Sequence, residues 1–344
     1  MSRGQRPTLR DVARESGLSI TQTSRALNGH EDVAAGTRER ALEAAHRLGY
    51  VPNQEARRLR DPNVRSHSLG LVLVAGSQRF SDPFFGELLA AIVDEAASRG
   101  YELQLSTPLA DEDPVASYER AIRAKRVDGF VLLRTALSDP RVDYLVEEGV
   151  PFVTFGEVPG PGRRLSVSEA SDCIQPAVDH LVALGHRQIG CLTEPLEYVI
   201  AARRFESFKQ ALAHHGIEAR ADHIVPSGFR EDSAVAAMGQ LLASNDPPTA
   251  LVAFNDLVAF GAMRAAAQHG IDVPHELSIV GFDDVYASRL SSPPLTTLRL
   301  GERAIGRELV TQLVAAIEDP DSATDVHLTP ELVIRESTAV PPTR

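Results

Sequence analysis

The chain has little with which to build several classes of protein. Its 344 residues include two cysteines, Cys173 and Cys191, too few for a disulfide framework or a four-thiolate metal site. No run approaches the roughly 18 apolar residues of a membrane-spanning helix. The opening MSRGQRPTLRDVARESG lacks the apolar core of a secretory signal. These absences predict a cytoplasmic protein. Catalytic patterns are missing as well. There is no GxSxG elbow and no Ser-His-Asp order. The stretch GEVPGPG at 156–162 has neither the lysine nor the following helix of a phosphate loop. Basic residues are in the minority, 35 Lys+Arg against 47 Asp+Glu, for a net charge of −12. DNA phosphates repel an acidic partner, so that total argues against nucleic acid. What is present suits a core-forming protein: 43% hydrophobic residues over a length that predicts two to three domains.

The charge is not evenly spread. Residues 1–66 hold twelve arginines, no lysine and eight acids, a net of +4, and the remainder carries −16. A small basic head on a large acidic body suggests a nucleic-acid-binding head. The head reads as helices. Thr8 with Asp11 three residues on forms a capping box, Leu9, Val12 and Ala13 supply an apolar stripe, and Gly17 stops the helix. Ser19 with Gln22 opens a second helix that runs to Asn28-Gly29. A third spans roughly Thr37 to Leu48, closing at Gly49, with Ala41, Leu42, Ala45 and Leu48 over a small core. Two short helices joined by a tight turn make a helix-turn-helix. A plain three-helix bundle would not need Ile20, Thr21, Gln22 and Arg25 on the open face of the second helix. A helix entering a phosphate-lined groove does need short hydroxyls and an arginine there. Beyond Tyr50-Val51-Pro52, Asn53 can cap a helix of about two turns that ends at Asp61-Pro62. Such a helix is too short to be stable alone. Ala56, Leu59 and Arg57, Arg58 and Arg60 make either a minor-groove wedge or a polar linker.

The run TLRDVARESGLS, SRALNG and TRERALEAAHRLGYVPNQEARRL, from Thr8 to Leu59 in order and at family spacing, resembles the lactose-repressor (LacI/GalR) family of bacterial transcription regulators. The similarity extends over almost the whole chain. It implies that the second helix reads the major groove with Ile20, Thr21 and Arg25. It also implies that Thr8, Ser19, Ser24, Asn28, Thr37, Tyr50 and Asn53 face phosphates, and that Ala56 and Leu59 form the minor-groove hinge pair. Where the family usually has Thr-Val before Ser-Arg, this chain has Gln22-Thr23, and Gln22 can add an adenine contact. Ala34 replaces a serine before the third helix, removing one cap or phosphate hydroxyl.

After residue 67 apolar runs alternate with helix-period stretches. Strands are expected at 69–74, 101–106, 129–133, 152–155, 189–192, 223–225, 251–254 and 279–282. Alternation of this kind means parallel sheets with crossover helices, in two doubly wound α/β lobes. The resemblance implies the same: a periplasmic-binding-protein-like body with an effector between the lobes. The expected organisation is a head at 1–52, a hinge helix and linker at 53–66, and an effector-binding and dimerisation domain at 67–344. Crossovers between the lobes are expected near 156–166, 284–296 and 320–330. Ligands in open α/β sheets lie beyond the carboxyl ends of strands. Ser81-Asp82-Pro83-Phe84-Phe85 follows the first strand there, and either aromatic can stack on a sugar face or pack in the core. Arg134 ends another strand, as a cleft group or a solvated end. Asn255-Asp256 and Asp283-Asp284 follow two more, where an Asx also commonly caps the next element. The resemblance places Phe84, Phe85, Arg134, Arg204, Asn255 and Asp283 in the effector pocket, Arg204 by the match of Arg204-Phe205-Glu206-Ser207-Phe208 to the family's Arg-x-x-Gly-Phe. Facing Asp and Arg side chains suit vicinal hydroxyls. Ser168-Glu169 and Cys173, and the TFGEV turn, depart from the family pattern and reshape that pocket.

His180 and His186, six residues apart, do not share a helical face and have no third ligand, so neither a metal nor a cofactor is expected. The resulting expectation is a regulator, not an enzyme. It binds near-palindromic double-stranded operator DNA as a homodimer and, on the resemblance, usually represses. A sugar or sugar derivative shifts its lobes between two states and orders or melts the hinge. Two alternatives fit less of the chain. A solute-binding protein explains only residues 67–344, and a cleft enzyme acting on a sugar needs convergent acid–base residues.

Overall fold

The computed structural model describes residues 7–27, 30, 32–50, 65–73, 81–108 and 112–343. The chain divides into two compact units, Met1–Ser66 and His67–Arg344. In the first, three helices form: α1 (Leu9–Ser16), α2 (Ile20–Leu27) and α3 (Ala35–Leu48). Their ends are set by local side-chain chemistry. The Asp11 carboxylate accepts from the Thr8 N–H at 2.9 Å and the Thr8 hydroxyl at 2.7 Å. The Ser19 hydroxyl accepts from the Gln22 N–H, and Gln22 Oε1 accepts from the Ser19 N–H, both at 3.1 Å. Gly17 and Gly49 end α1 and α3 at φ 67° and 64°, left-handed backbone that a side chain would strain. Ala34 begins α3 with no side-chain cap.

Val12, Ala44 and Ala45 form the core of this unit, with Leu27, Leu48 and Tyr50 packed on it. Leu42, expected in that core, is 52% exposed. The reason is helical phase: Ala44 and Ala45 lie three and four residues after buried Ala41 and share its face, whereas Leu42 is turned about 100° away. Thr23 is fully buried and donates its hydroxyl to the Ser19 carbonyl at 2.9 Å, so the polar atom is satisfied. Asn28, Asn53, Ala56, Leu59 and the expected hinge helix lie outside the described residues.

The second unit contains two six-stranded sheets. The first is built from β1 (Ser68–Val72), β2 (Glu102–Ser106), β3 (Gly129–Leu132), β4 (Phe152–Phe155) and β5 (Leu165–Glu169). The second is built from β6 (Ile189–Thr193), β7 (Ile224–Pro226), β8 (Ala250–Ala253), β9 (Ser278–Phe282) and β10 (Thr296–Arg299). Late strands complete each sheet: β11 (Val326–Leu328) joins β5 in parallel, and β12 (Glu331–Val333) joins β10 antiparallel. The orders are β11-β5-β4-β3-β1-β2 and β12-β10-β9-β8-β6-β7. Strands β1, β3, β4, β5, β6, β8 and β9 are buried along their whole length, as strands covered by helices on both faces must be. Helices α4 (Pro83–Ser98), α5 (Ala116–Arg123) and α6 (Pro140–Glu147) belong to the first lobe. Helices α7 (Gln175–Ala183), α8 (Val199–His214), α9 (Glu231–Leu242) and α10 (Asp256–Gln268) belong to the second. Helix α11 (Glu302–Glu318) returns to pack on α4, β3, β4 and β5.

The chain therefore passes between lobes after Glu169, between β10 and α11, and between β11 and β12. The expected crossings at 156–166 and 284–296 are incorrect. Leu165–Glu169 pairs with β4 and Thr296–Arg299 with β9, so each of those segments joins neighbours of one sheet. The third passage, at 329–330, falls within the expected 320–330. Among the described residues, no helix is long and apolar enough to cross a membrane.

Candidate functional site

The loops at the carboxyl ends of β3, β6, β8 and β9 converge on one cavity between the lobes, with Phe155 at the end of β4 and the start of α4 in its wall. It encloses about 100 Å³, where a single water needs roughly 10–15 Å³. All six residues expected in the pocket line it: Phe84, Phe85, Arg134, Arg204, Asn255 and Asp283. Phe84 stacks on Phe155 at 6.4 Å, while Phe85 is mostly committed to the first-lobe core.

Arg204, on α8, is held from several sides. Its Nη2 donates to Glu169 Oε1 at 2.6 Å, and its Nε lies 3.1 Å from both Glu169 oxygens. Its Nη1 donates to the Phe254 carbonyl, and the guanidinium lies 3.7 Å over the Phe282 ring. Burial works against its charge, but Glu169 and Asp283 outweigh burial and hold its pKa above the usual arginine value. The Asp283 carboxylate stands 3.7 Å from Nη2. Burial pushes Asp283 well above the usual carboxylate range, with Arg204 opposing. Its backbone, at φ 114°, is in a region side chains rarely adopt, as is that of the next residue, Asp284, at φ 56°. This turn is braced by Asp284, which binds Arg335 at 2.5 Å, and by Asp256. Asp256 accepts from the Val285 N–H at 3.0 Å, Ser288 Oγ at 2.5 Å and Thr297 Oγ1 at 2.6 Å.

Asn255 caps α10, its Oδ1 accepting from the Val258 N–H at 2.8 Å. Its Nδ2 donates to Glu194 Oε1 at 2.6 Å. Burial raises the Glu194 pKa, with Arg204 and Asn255 opposing. Arg134, at φ 51°, lays its guanidinium 4.0 Å over the Phe229 ring, which Tyr198 meets edge-on. Backbone bonds join the lobes beside it: Val199 N–H to Thr135 O at 3.0 Å and Leu137 N–H to Glu197 O at 2.8 Å. Sequence reasoning passed over Glu194, Tyr198 and Phe229 and noted Glu169 only as a departure. Their sole local signal is position, Glu194 immediately after β6 and Glu169 at the end of β5.

His180 bonds Thr338, and His186 bonds Thr249, Ser278 and the Ala339 carbonyl, so both pin the C-terminal segment. Among the described residues no cluster of three metal-ligating side chains occurs.

In the head, Ser19, Ile20, Thr21, Gln22 and Arg25 are exposed along the start and open face of α2, and Thr8 is exposed before α1. Ser24, Thr37 and Tyr50 are half-buried, and Tyr50 packs on the core. Arg25 donates to the Asp32 carboxylate, and Gln22 is occupied with the cap at Ser19.

Comparison with known proteins agrees with this architecture. Residues 8–53 match the model described as bacterial regulatory proteins, lacI family, and residues 178–338 a periplasmic binding protein-like domain. The chain is 32% identical over 337 residues to the HTH-type transcriptional repressor PurR of Mannheimia succiniciproducens, covering 96% of this chain and 98% of that protein. It is 30% identical over 335 residues to the PurR of Haemophilus influenzae, with the same coverage. The lac repressor dimer bound to operator and the anti-inducer ONPF superposes with a TM-score of 0.80 at 28% identity, over 97% of this chain and 100% of that one. The transcriptional regulator CelR in complex with cellobiose gives 0.73 at 30% identity, over 96% and 100%. With a helix-turn-helix head and a two-lobed ligand-binding body, the chain belongs to the lacI family of bacterial regulatory proteins and is a DNA-binding transcriptional regulator, not an enzyme.

Proposed function

We propose that this chain is a cytoplasmic repressor that binds a near-palindromic operator as a homodimer and answers to a sugar or sugar derivative held between its lobes. The observation that carries the effector reading is the interlobe cavity. Phe84 and Arg134 come from the first lobe, and Arg204, Asn255 and Asp283 from the second. A ligand touching both sets has a different affinity for each lobe angle, the condition for shifting a conformational equilibrium. Cellobiose in CelR and ONPF in the lac repressor are the kind of ligand this reading expects.

In the same reading, Ile20, Thr21, Gln22 and Arg25 address base edges, and Thr8, Ser19, Ser24, Asn28, Thr37, Tyr50 and Asn53 address phosphates. Residues 53–66 carry the hinge, with Ala56 and Leu59 in the minor groove. Dimerisation is supported by exposed Tyr286 and Leu290, which border a groove with Phe260 and Met263. Apolar surface of this kind marks interaction sites.

Gel-shift with genomic fragments tests the proposal. Wild-type chain should retain a discrete set of fragments, and Arg25→Ala should weaken that retention on the order of 10- to 100-fold, the scale of one bidentate base contact. Equal retention by the variant, or no fragment retained, overturns it.

A further inference from the structure

Two carboxylates in the cleft retain accepting capacity that no described residue fills. Glu194 is 8% exposed and Asp283 9%. Glu194 Oε1 accepts from Asn255. Among the described residues, no donor reaches Oε2, and none reaches either carboxylate oxygen of Asp283 within hydrogen-bond distance. The nearest cation, Arg204 Nη2, is 3.7 Å from Asp283 Oδ1, too far for a hydrogen bond. These oxygens open onto the cavity, and a ligand held there is where their donors can come from.

The two most central donors in the site are committed elsewhere. Arg204 is bound to Glu169 and the Phe254 carbonyl. The Asn255 amide is divided between Val258 and Glu194. Arg134 stands 4.0 Å over the Phe229 ring. Charge points the same way. Asp82, Glu194 and Asp283 line the cavity with Arg134 and Arg204, and Glu169 stands directly behind Arg204. Among the described residues, Glu194, Asp283 and Glu169 thus stand against Arg134 and Arg204, and the more central arginine is already paired with Glu169. The aromatic faces of Phe84, Tyr198 and Phe229 suit the C–H face of a ring or a cation, not an anion.

From this geometry we infer that the ligand is a polyhydroxylated ring that is neutral or cationic. It presents hydroxyl or ammonium donors to Glu194 and Asp283, and Glu194 is the residue that excludes sugar acids and sugar phosphates. The inference rests on the effector reading above and adds the charge class. Anionic ligands would bring like charge against Glu194 while leaving its Oε2 without a donor.

Matched sets built on the common hexoses and their disaccharides test it: parent sugar, 2-amino sugar, uronate and 6-phosphate. Each is titrated against the full chain by calorimetry after a thermal-shift screen. Within any set that binds, the parent or the amino sugar should bind at least about tenfold more tightly than the uronate and the phosphate, roughly the scale of one well-placed charge or hydrogen bond. Glu194→Gln, nearly the same size and still able to accept from Asn255, should shrink that ratio to below about threefold. A uronate or phosphate that binds wild type as tightly as its parent overturns the inference, as does an unchanged ratio in the variant. The wild-type series stands even if the variant folds poorly. Absence of binding by every member overturns the ligand class. The operator gel-shift, which needs no ligand, reports separately on whether the chain is a DNA-binding regulator.

Discussion

Arg25 in the head and Arg204 in the body each meet a carboxylate, and there the similarity ends. The side chains of Arg25 and Asp32 are 46% and 60% exposed, whereas those of Arg204 and Glu169 are 4% and 0% exposed. Water screens the first pair, so Arg25 can exchange Asp32 for a base edge or a phosphate at little cost. The second pair has no solvent to fall back on, and each member depends on the other. Exchangeable charge belongs where a regulator must meet a charged polymer in alternative registers. Fixed charge belongs where a pocket must hold its shape. The two pairs thus differ in kind, as the two regions, at +4 and −16, differ in sign.

Removing a member of the buried pair should have the largest effect. Arg204→Ala leaves Glu169 charged and enclosed, and should lower unfolding stability by about 3–5 kcal/mol and abolish the effector response. Urea denaturation checks the first and ligand calorimetry the second. A stability loss under about 1 kcal/mol would place Arg204 with Arg25 and break the comparison.

Asp256 sharpens it with a buried acid that has hydrogen bonds but, among the described residues, no cation. Burial raises its pKa from 3.8 to about 7, against the opposing bonds from Ser288, Thr297 and Val285. The folded chain therefore holds this proton more tightly than the unfolded chain does. The associated stability is fully present below pH 4 and is lost as pH rises toward 7, by at most about 4 kcal/mol. Relative to Asp256→Asn, wild type should lose stability between about pH 4 and pH 7 and then level off. A difference that stays constant with pH contradicts the buried-acid account.

The smallest effect is expected in the head. Asp32→Asn should leave the melting temperature unchanged and strengthen retention of non-specific DNA at low salt a few-fold, because a carboxylate competing with phosphate for Arg25 is gone. A fall in melting temperature comparable with that of Arg204→Ala would show the pair to be structural.

Much of the head was legible in the sequence because its signals are local. Thr8 reaches Asp11, Ser19 reaches Gln22, and Gly17 and Gly49 take left-handed backbone, all within one helical turn. Leu42 was misplaced because a pattern of apolar residues does not give the phase of a helix until its partners are known. Gln22 and Arg25 were legible as exposed, but not their engagement with Ser19 and Asp32. In the body, strand ends pointed to Arg134, Asn255 and Asp283. The acids that complete the cleft escaped notice, because Glu169 meets Arg204 across 35 residues and Glu194 meets Asn255 across 61.

The amino-acid order by itself determined the helix ends, the basic head and acidic body, the alternation of strand and helix, and the family. Each of these is written in neighbours along the chain or in composition. Tertiary structure alone decided that the chain crosses between lobes after Glu169 and between β10 and α11. It alone placed a buried acid behind Arg204 and carboxylate oxygens in the cleft that no described residue fills. Sheet order and lobe pairing depend on contacts between distant segments. Whether a carboxylate is solvated, paired or left waiting for a donor follows from what those contacts bring beside it.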